Sequence, residues 1–413
     1  MSTDAPLNDA NLVEMGATDA SLIEVEEEEE KEGKWRRRWL LLLLLLLLLL
    51  LLCVAGFMCR YVWRPVPLPD IIPLPVEVNY PPHYLFSIYG VDKPVGVALS
   101  PDHDRVYVTE TGGQRMVKIF DRGGDLLGSF APPRTGPGQR SPVYLATDNT
   151  GRVFITDRLQ HAVFVYDREG NFLDAILGPD LTLSEYVSKH AGVVRPPGDA
   201  IAYNLFENEV YYQKLGDVER TLPPPDQVDW APLGIRIDGT GRLLLTDVAR
   251  PRNVVREIPA DVILAASWQN FDPIPVAFGA YGQGNGEFLF PNAAVGDTQG
   301  RIYVSDGNNG RISVWDGQGH FLFHFGQGSG DDAVSLPRGA AFDWRERLYV
   351  VDAVGQDVKV YDVSGEQPSF LFAFGDVGLG DGQFNYPNDI ALDSSGRLYI
   401  ADRENNRVQV WSY

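Results

Sequence analysis

Gly151-Arg-Val-Phe-Ile-Thr-Asp157, Gly241-Arg-Leu-Leu-Leu-Thr-Asp247, Gly300-Arg-Ile-Tyr-Val-Ser-Asp306 and Gly396-Arg-Leu-Tyr-Ile-Ala-Asp402 are four copies of one phrase. Each is a Gly-Arg turn followed by a strand of period two that ends in aspartate. A polar loop and another strand follow, such as Ile312-Ser-Val-Trp-Asp316. The residues closing the phrase are Glu110, Asp157, Asp247, Asp306, Asp352 and Asp402, which gives six copies. They recur at 46 to 59 residues, except for a gap of 90 between Asp157 and Asp247. Repeats of that length with several short strands each are the signature of propeller blades.

Each copy opens at a proline: Pro94, Pro142, Pro232, Pro291, Pro337 or Pro387. Its first strand runs into a tight turn such as Asp148-Asn-Thr-Gly151, where aspartate caps the turn and glycine supplies a positive φ. The last copy ends at Trp411-Ser-Tyr413 without a fourth strand, whereas Tyr84–Gly90 has the pattern of one. Residues 84–89 are therefore expected to supply the outer strand of the last blade, closing the ring and hiding two sheet edges.

Asp306-Gly-Asn-Asn-Gly-Arg311 and Asp402-Arg-Glu-Asn-Asn-Arg407 resemble the NHL repeat, and the resemblance extends over residues 84–413. It implies an all-β, six-bladed propeller of NHL type. The long gap is too short for a seventh blade and reads as an insert at about 179–230, with a short helix at Leu183–His190 and aromatics Tyr203, Phe206, Tyr211 and Tyr212. That insert is expected on the face that carries the blade-opening prolines.

Residues 39–59 are uncharged and apolar, long enough for a single transmembrane helix. The basic cluster Lys34, Arg36, Arg37 and Arg38 precedes it, placing the N-terminus in the cytoplasm and the propeller outside the cell membrane. Residues 1–38 read as an acidic disordered tail with a basic flank, and 60–83 as a proline-rich stalk. A cleaved signal peptide is the competing reading of the apolar stretch.

The two cysteines, Cys53 and Cys59, lie within that stretch, so the propeller carries no disulfide and no cysteine zinc site. The RING-linked role of some NHL relatives does not carry over. The net charge is −21. Such an acidic chain is not expected to bind nucleic acid.

The repeated acids could form a cation site at the central channel, with calcium as the possible ion. The repetition itself favours a structural role, pairing with loop N–H groups or with Arg115, Arg252, Arg311 and Arg407. Departures from the repeat carry more information. Tyr144, Asn292, Arg338, Asn388 and Asp389 follow the opening prolines, with Arg158 and His161 on a neighbouring loop. These seven are the candidate ligand-binding residues, and no catalytic residue is assigned. Six-bladed relatives include a zinc amidating lyase and calcium-dependent lactonases, but no three histidines occupy equivalent blade positions here. The preferred expectation is a non-catalytic binding scaffold, without a cofactor, for a protein, peptide or glycan. A metal-dependent lyase or lactonase using the channel is the alternative.

Overall fold

The computed structural model describes residues 35–56, 58, 81–132, 135–178, 181–182, 230–249, 252–258 and 276–413. Two units are described separately. The first contains one helix, Trp35–Gly56, of 22 residues. At 1.5 Å per residue it is about 33 Å long, enough for the hydrocarbon core of a bilayer. It begins four residues before the expected span, taking in Arg36, Arg37 and Arg38. Residues 1–34 of the tail, 60–80 of the stalk and nearly all of the insert lie outside the described residues.

The second unit is a six-bladed propeller. Blade 1 runs Pro94–Leu99, Arg105–Glu110, Val117–Asp121 and Leu126–Phe130. The inner strands of blades 2 to 6 are Pro142–Thr147, Pro232–Ile237, Pro291–Gly296, Pro337–Phe342 and Pro387–Leu392. Each blade is an antiparallel sheet, and in blades 1 to 5 the strands follow sequence order outward from the inner strand. All six opening prolines stand first in an inner strand, where a missing N–H costs the ladder least. Each pairs with the acid that ends the next strand, from Pro94 with Glu110 to Pro387 with Asp402, and the register slips just beyond.

The turns at the opposite face work as the sequence implies. Asp148 accepts the N–H groups of Thr150 and Arg152, and its second oxygen meets Arg152 Nε at 2.7 Å. The same aspartate–arginine pair recurs at Asp238, Asp297 and Asp343, at 2.7–2.8 Å. Each turn is thus closed by its own sequence before any blade packs on another.

Blade 6 takes its outer strand from the start of the propeller. His83–Ile88 pairs antiparallel with Arg407–Ser412, from His83 opposite Ser412 to Ile88 opposite Val408. Ile88 joins a core that also holds Val97, Val106 and Val108 of blade 1 with Tyr399 and Val410 of blade 6. The seam between first and last blades is therefore closed by an apolar core.

Inner strands alternate in bulk two residues after the proline: Gly96, Tyr144, Gly234, Ala293, Gly339 and Asp389. A Cβ on Gly234 would come within 2.0 Å of the Asn292 carbonyl oxygen, and one on Gly339 within 2.1 Å of Asp389. Glycine in the odd blades lets the even-numbered neighbours crowd the channel.

Candidate functional site

The six acids are structural. Asp157 accepts N–H bonds from Ser141, Leu159 and Gln160 at 2.9–3.0 Å. Asp306 takes Leu289 N, Asn309 Nδ2 and Arg311 Nε at 2.7–2.8 Å, and Asp402 repeats this with Asn385, Asn405 and Arg407. Each of the five aspartates ties the loop before its blade to the loop after its second strand, while Glu110 accepts the Asp92 N–H of the loop before. Two expected arginine partners differ. Asp247 pairs with Arg256, not Arg252, and Glu110 pairs with Lys118 while Arg115 donates to the Pro137 carbonyl. Because these oxygens are already spent on N–H groups and cations, the ring does not fit a calcium ion. Among the described residues no group of three His, Cys, Asp or Glu side chains could hold a metal.

Arg236 closes the channel. Its guanidinium pairs with Asp389 and reaches the carbonyls of Leu145, Ala340 and Ile390 at 3.3–3.4 Å, so it joins blades 2, 3, 5 and 6. Asp389 is fully buried and also accepts the Val97 N–H at 3.0 Å. Burial pushes its carboxyl up, and the Arg236 charge opposes this. Arg236 escaped the sequence reading, yet a signal existed. At its position the other inner strands carry Ala98, Ala146, Val295, Ala341 and Ala391.

At the face carrying the opening prolines lies a cavity of about 320 Å³. It brings together four of the seven candidates: Tyr144, Arg158, Arg338 and Asn388. Asn292 is buried behind it and accepts from Arg338 Nη1 at 2.8 Å. Asp389 belongs to the ion pair with Arg236. His161 is not in the wall; it takes the left-handed turn at φ 51° that leads into its third strand, as Asn253 and Asn406 do in theirs.

The wall also holds side chains the sequence reading missed. Lys93, Phe290 and Tyr386 each precede an opening proline, and each has a positive φ between 49° and 62°. Non-glycine residues rarely adopt this conformation, which persists only where the surroundings impose it. For two of them the restraint is visible: Asn406 Oδ1 accepts the Lys93 N–H at 2.9 Å, and Asn253 Oδ1 that of Phe290 at 3.0 Å. In both cases an asparagine of one blade fixes the mouth residue of the next.

Tyr144 is buried, and burial pushes its phenol up to about 12. Asn388 Nδ2 donates to the phenol oxygen at 3.0 Å, and also to the Val95 carbonyl at 2.9 Å. Among the described residues the phenol proton has no acceptor. A larger cavity of about 630 Å³ opens at the opposite face. Its wall includes Asp148, Asp238, Asp297 and Asp343, whose oxygens are already engaged by the turns.

The NHL-repeat family model matches residues 384–411. No curated protein matches the chain. Among solved structures, a streptogramin B lyase is 13% identical, covering 80% of this chain and 98% of its own, with a TM-score of 0.49. A virginiamycin B lyase from Staphylococcus aureus is 13% identical, covering 81% and 99%, with a TM-score of 0.47. A gluconolactonase from Xanthomonas campestris is 14% identical, covering 81% and 94%, with a TM-score of 0.48. At this identity the likeness is one of fold alone. The preference for a non-catalytic protein is nevertheless corrected. Propellers of this kind include lyases and a lactonase, so the architecture gives no ground for setting catalysis aside. This chain is a six-bladed propeller with an N-terminal apolar helix long enough to span a membrane.

Proposed function

We propose that the chain is a membrane-tethered, outward-facing propeller that binds a small oxygen-rich molecule at the channel mouth and transforms it by lyase- or lactonase-type chemistry. The blades are read as NHL type on Asp306…Arg311 and Asp402…Arg407, whose acid–arginine pairs hold the loops that shape the mouth.

The observation that carries the catalytic reading is the Tyr144 phenol in the wall of the mouth, which has no acceptor for its proton among the described residues. Lactone opening and β-elimination next to a carbonyl both build negative charge on a carbonyl oxygen. A neutral, buried phenol that donates to that oxygen stabilises the charge without first shedding water. Arg338, in the same wall, adds a fixed positive charge. The test is turnover of dihydrocoumarin and δ-gluconolactone by the full chain in lipid nanodiscs. Tyr144→Phe keeps the ring and removes the proton, and is expected to lower kcat on the order of 10²-fold. A parent inert toward both lactones, or a variant as fast as the parent, sinks the reading.

The outward orientation rests on the basic residues before the helix. Protease added to intact cells is expected to remove the propeller; a protected propeller argues the reverse.

A further inference from the structure

The chain carries a net charge of −21, yet five basic side chains line the mouth: Lys93, Arg115, Arg158, Arg338 and Arg403. Among the described residues no carboxylate lines it. Three of the five are already answered. Glu404, outside the wall, pairs with Lys93 at 3.4 Å and with Arg403 at 2.8 Å. Arg115 donates to the Pro137 carbonyl at 3.3 Å.

Arg158 and Arg338 remain. Among the described residues neither has a carboxylate partner. Arg338 places Nη1 on Asn292 and Nη2 on the Tyr386 hydroxyl at 3.2 Å, which orients its plane, while its Nε is buried without a partner. Arg158 stands at the exposed rim with its guanidinium 5.8 Å from the centre of the Phe290 ring. The surrounding wall and the charge of Arg338 both lower its pKa, so the two cations feel one another. Tyr386 lies between Arg338 and Arg403, at 5.9 and 5.6 Å from its ring centre.

Two like charges held together without an anion are unfavourable, and residues under backbone strain hold the rings beneath them. Folding gains nothing evident from this arrangement. A ligand that brings negative charge gains from it directly, because a guanidinium fork meets a carboxylate with two parallel hydrogen bonds. The aromatic faces of Phe290 and Tyr386 suit a flat body beside that charge.

We infer that the channel mouth is a site for a small organic carboxylate, its anionic group clamped by Arg158 and Arg338 and its flat body set against Phe290 and Tyr386. This deepens the functional reading given above, since it names the substrate or product class of the same site.

The test is calorimetric titration of the full chain in nanodiscs with 2-naphthoate and its neutral isostere 2-naphthamide, with empty nanodiscs as the blank. The carboxylate is expected to bind at least about tenfold more tightly than the amide. Arg158→Gln and Arg338→Gln are each expected to abolish that preference, Arg158→Gln with the melting temperature retained. Among the described residues Arg158 makes no hydrogen bond through its side chain, so its replacement tests the charge without threatening the fold. Equal binding of acid and amide overturns the inference and leaves lactone turnover as a separate question. Failure of both compounds to bind also overturns it, and the Tyr144→Phe measurement then judges the catalytic reading by itself.

Discussion

Arg236 in the inner strand of blade 3 and the fully buried Asp389 in the inner strand of blade 6 form an ion pair across the channel. Arg236 also stands in the wall of the larger cavity. Removing one member of such a pair leaves an uncompensated charge in a dry place, which costs more than the pair contributes. Arg236→Ala, which strands the fully buried Asp389 carboxylate, is expected to destabilise the propeller by about 3–5 kcal/mol in chemical denaturation. Replacing both residues with leucine should recover most of that loss. If the single variant unfolds at the parent's denaturant midpoint, the pair is not the bolt described here.

Gly234→Ala tests the alternation of bulk around the channel. Its new methyl would meet the Asn292 backbone, which cannot swing aside as a side chain can. The expected loss is about 3 kcal/mol, the upper end of ordinary overpacking. Gly128 faces open space, with nothing within 4 Å of an added methyl, so Gly128→Ala is the neutral control. Thermal melts of the two variants should differ clearly.

Deleting residues 84–90 should strip blade 6 of its outer strand and leave Arg407–Ser412 with an unpaired edge. A sharp fall in melting temperature and aggregation on warming are expected. A synthetic peptide covering residues 83–90 should restore stability by strand addition. A deletion that melts like the parent contradicts the closure.

Asp157 predicts a pH effect. Burial lifts its carboxyl to about 6 against the pull of its backbone N–H donors. The folded value then lies above the unfolded value of about 3.9. Its stabilising contribution is complete below that value and fades as pH rises through about 6. The swing is about 3 kcal/mol. Melting temperature should therefore carry a component that falls between about pH 4 and 6, and Asp157→Asn should remove it. An identical pH profile in parent and variant speaks against a raised carboxyl.

Much of the fold was legible because its signals are local. A proline, an acid at the end of the second strand and an Asp–Gly turn each act within a few residues, and all six prolines and all six acids stand where the phrase puts them. The closing strand was legible too, because Tyr84–Gly90 shares the period of the other outer strands. The site was less so. Tyr144, Arg158, Arg338 and Asn388 were found as departures from the repeat. Lys93, Phe290 and Tyr386 were missed because their exposure at the mouth depends on a positive φ, which for Lys93 and Phe290 is held by an asparagine of the preceding blade. That restraint acts between blades and leaves no mark in a single copy. Arg236 stood out against alanine in the alignment of inner strands, but its partner lies 153 residues away. Only the closed ring brings the two together.

His83 and Ser412, joined edge to edge in blade 6, are 329 residues apart. At about 5–20 residues per second, a ribosome needs roughly 15–65 s to make the second strand after the first. Throughout that time the first strand of the propeller has no mate. A message broken anywhere before the codon for Arg407 yields a propeller that never locks, with an apolar seam left open to chaperones and proteases. The ring thereby inspects its own length: only a chain translated through its last strand conceals the edge that would condemn it.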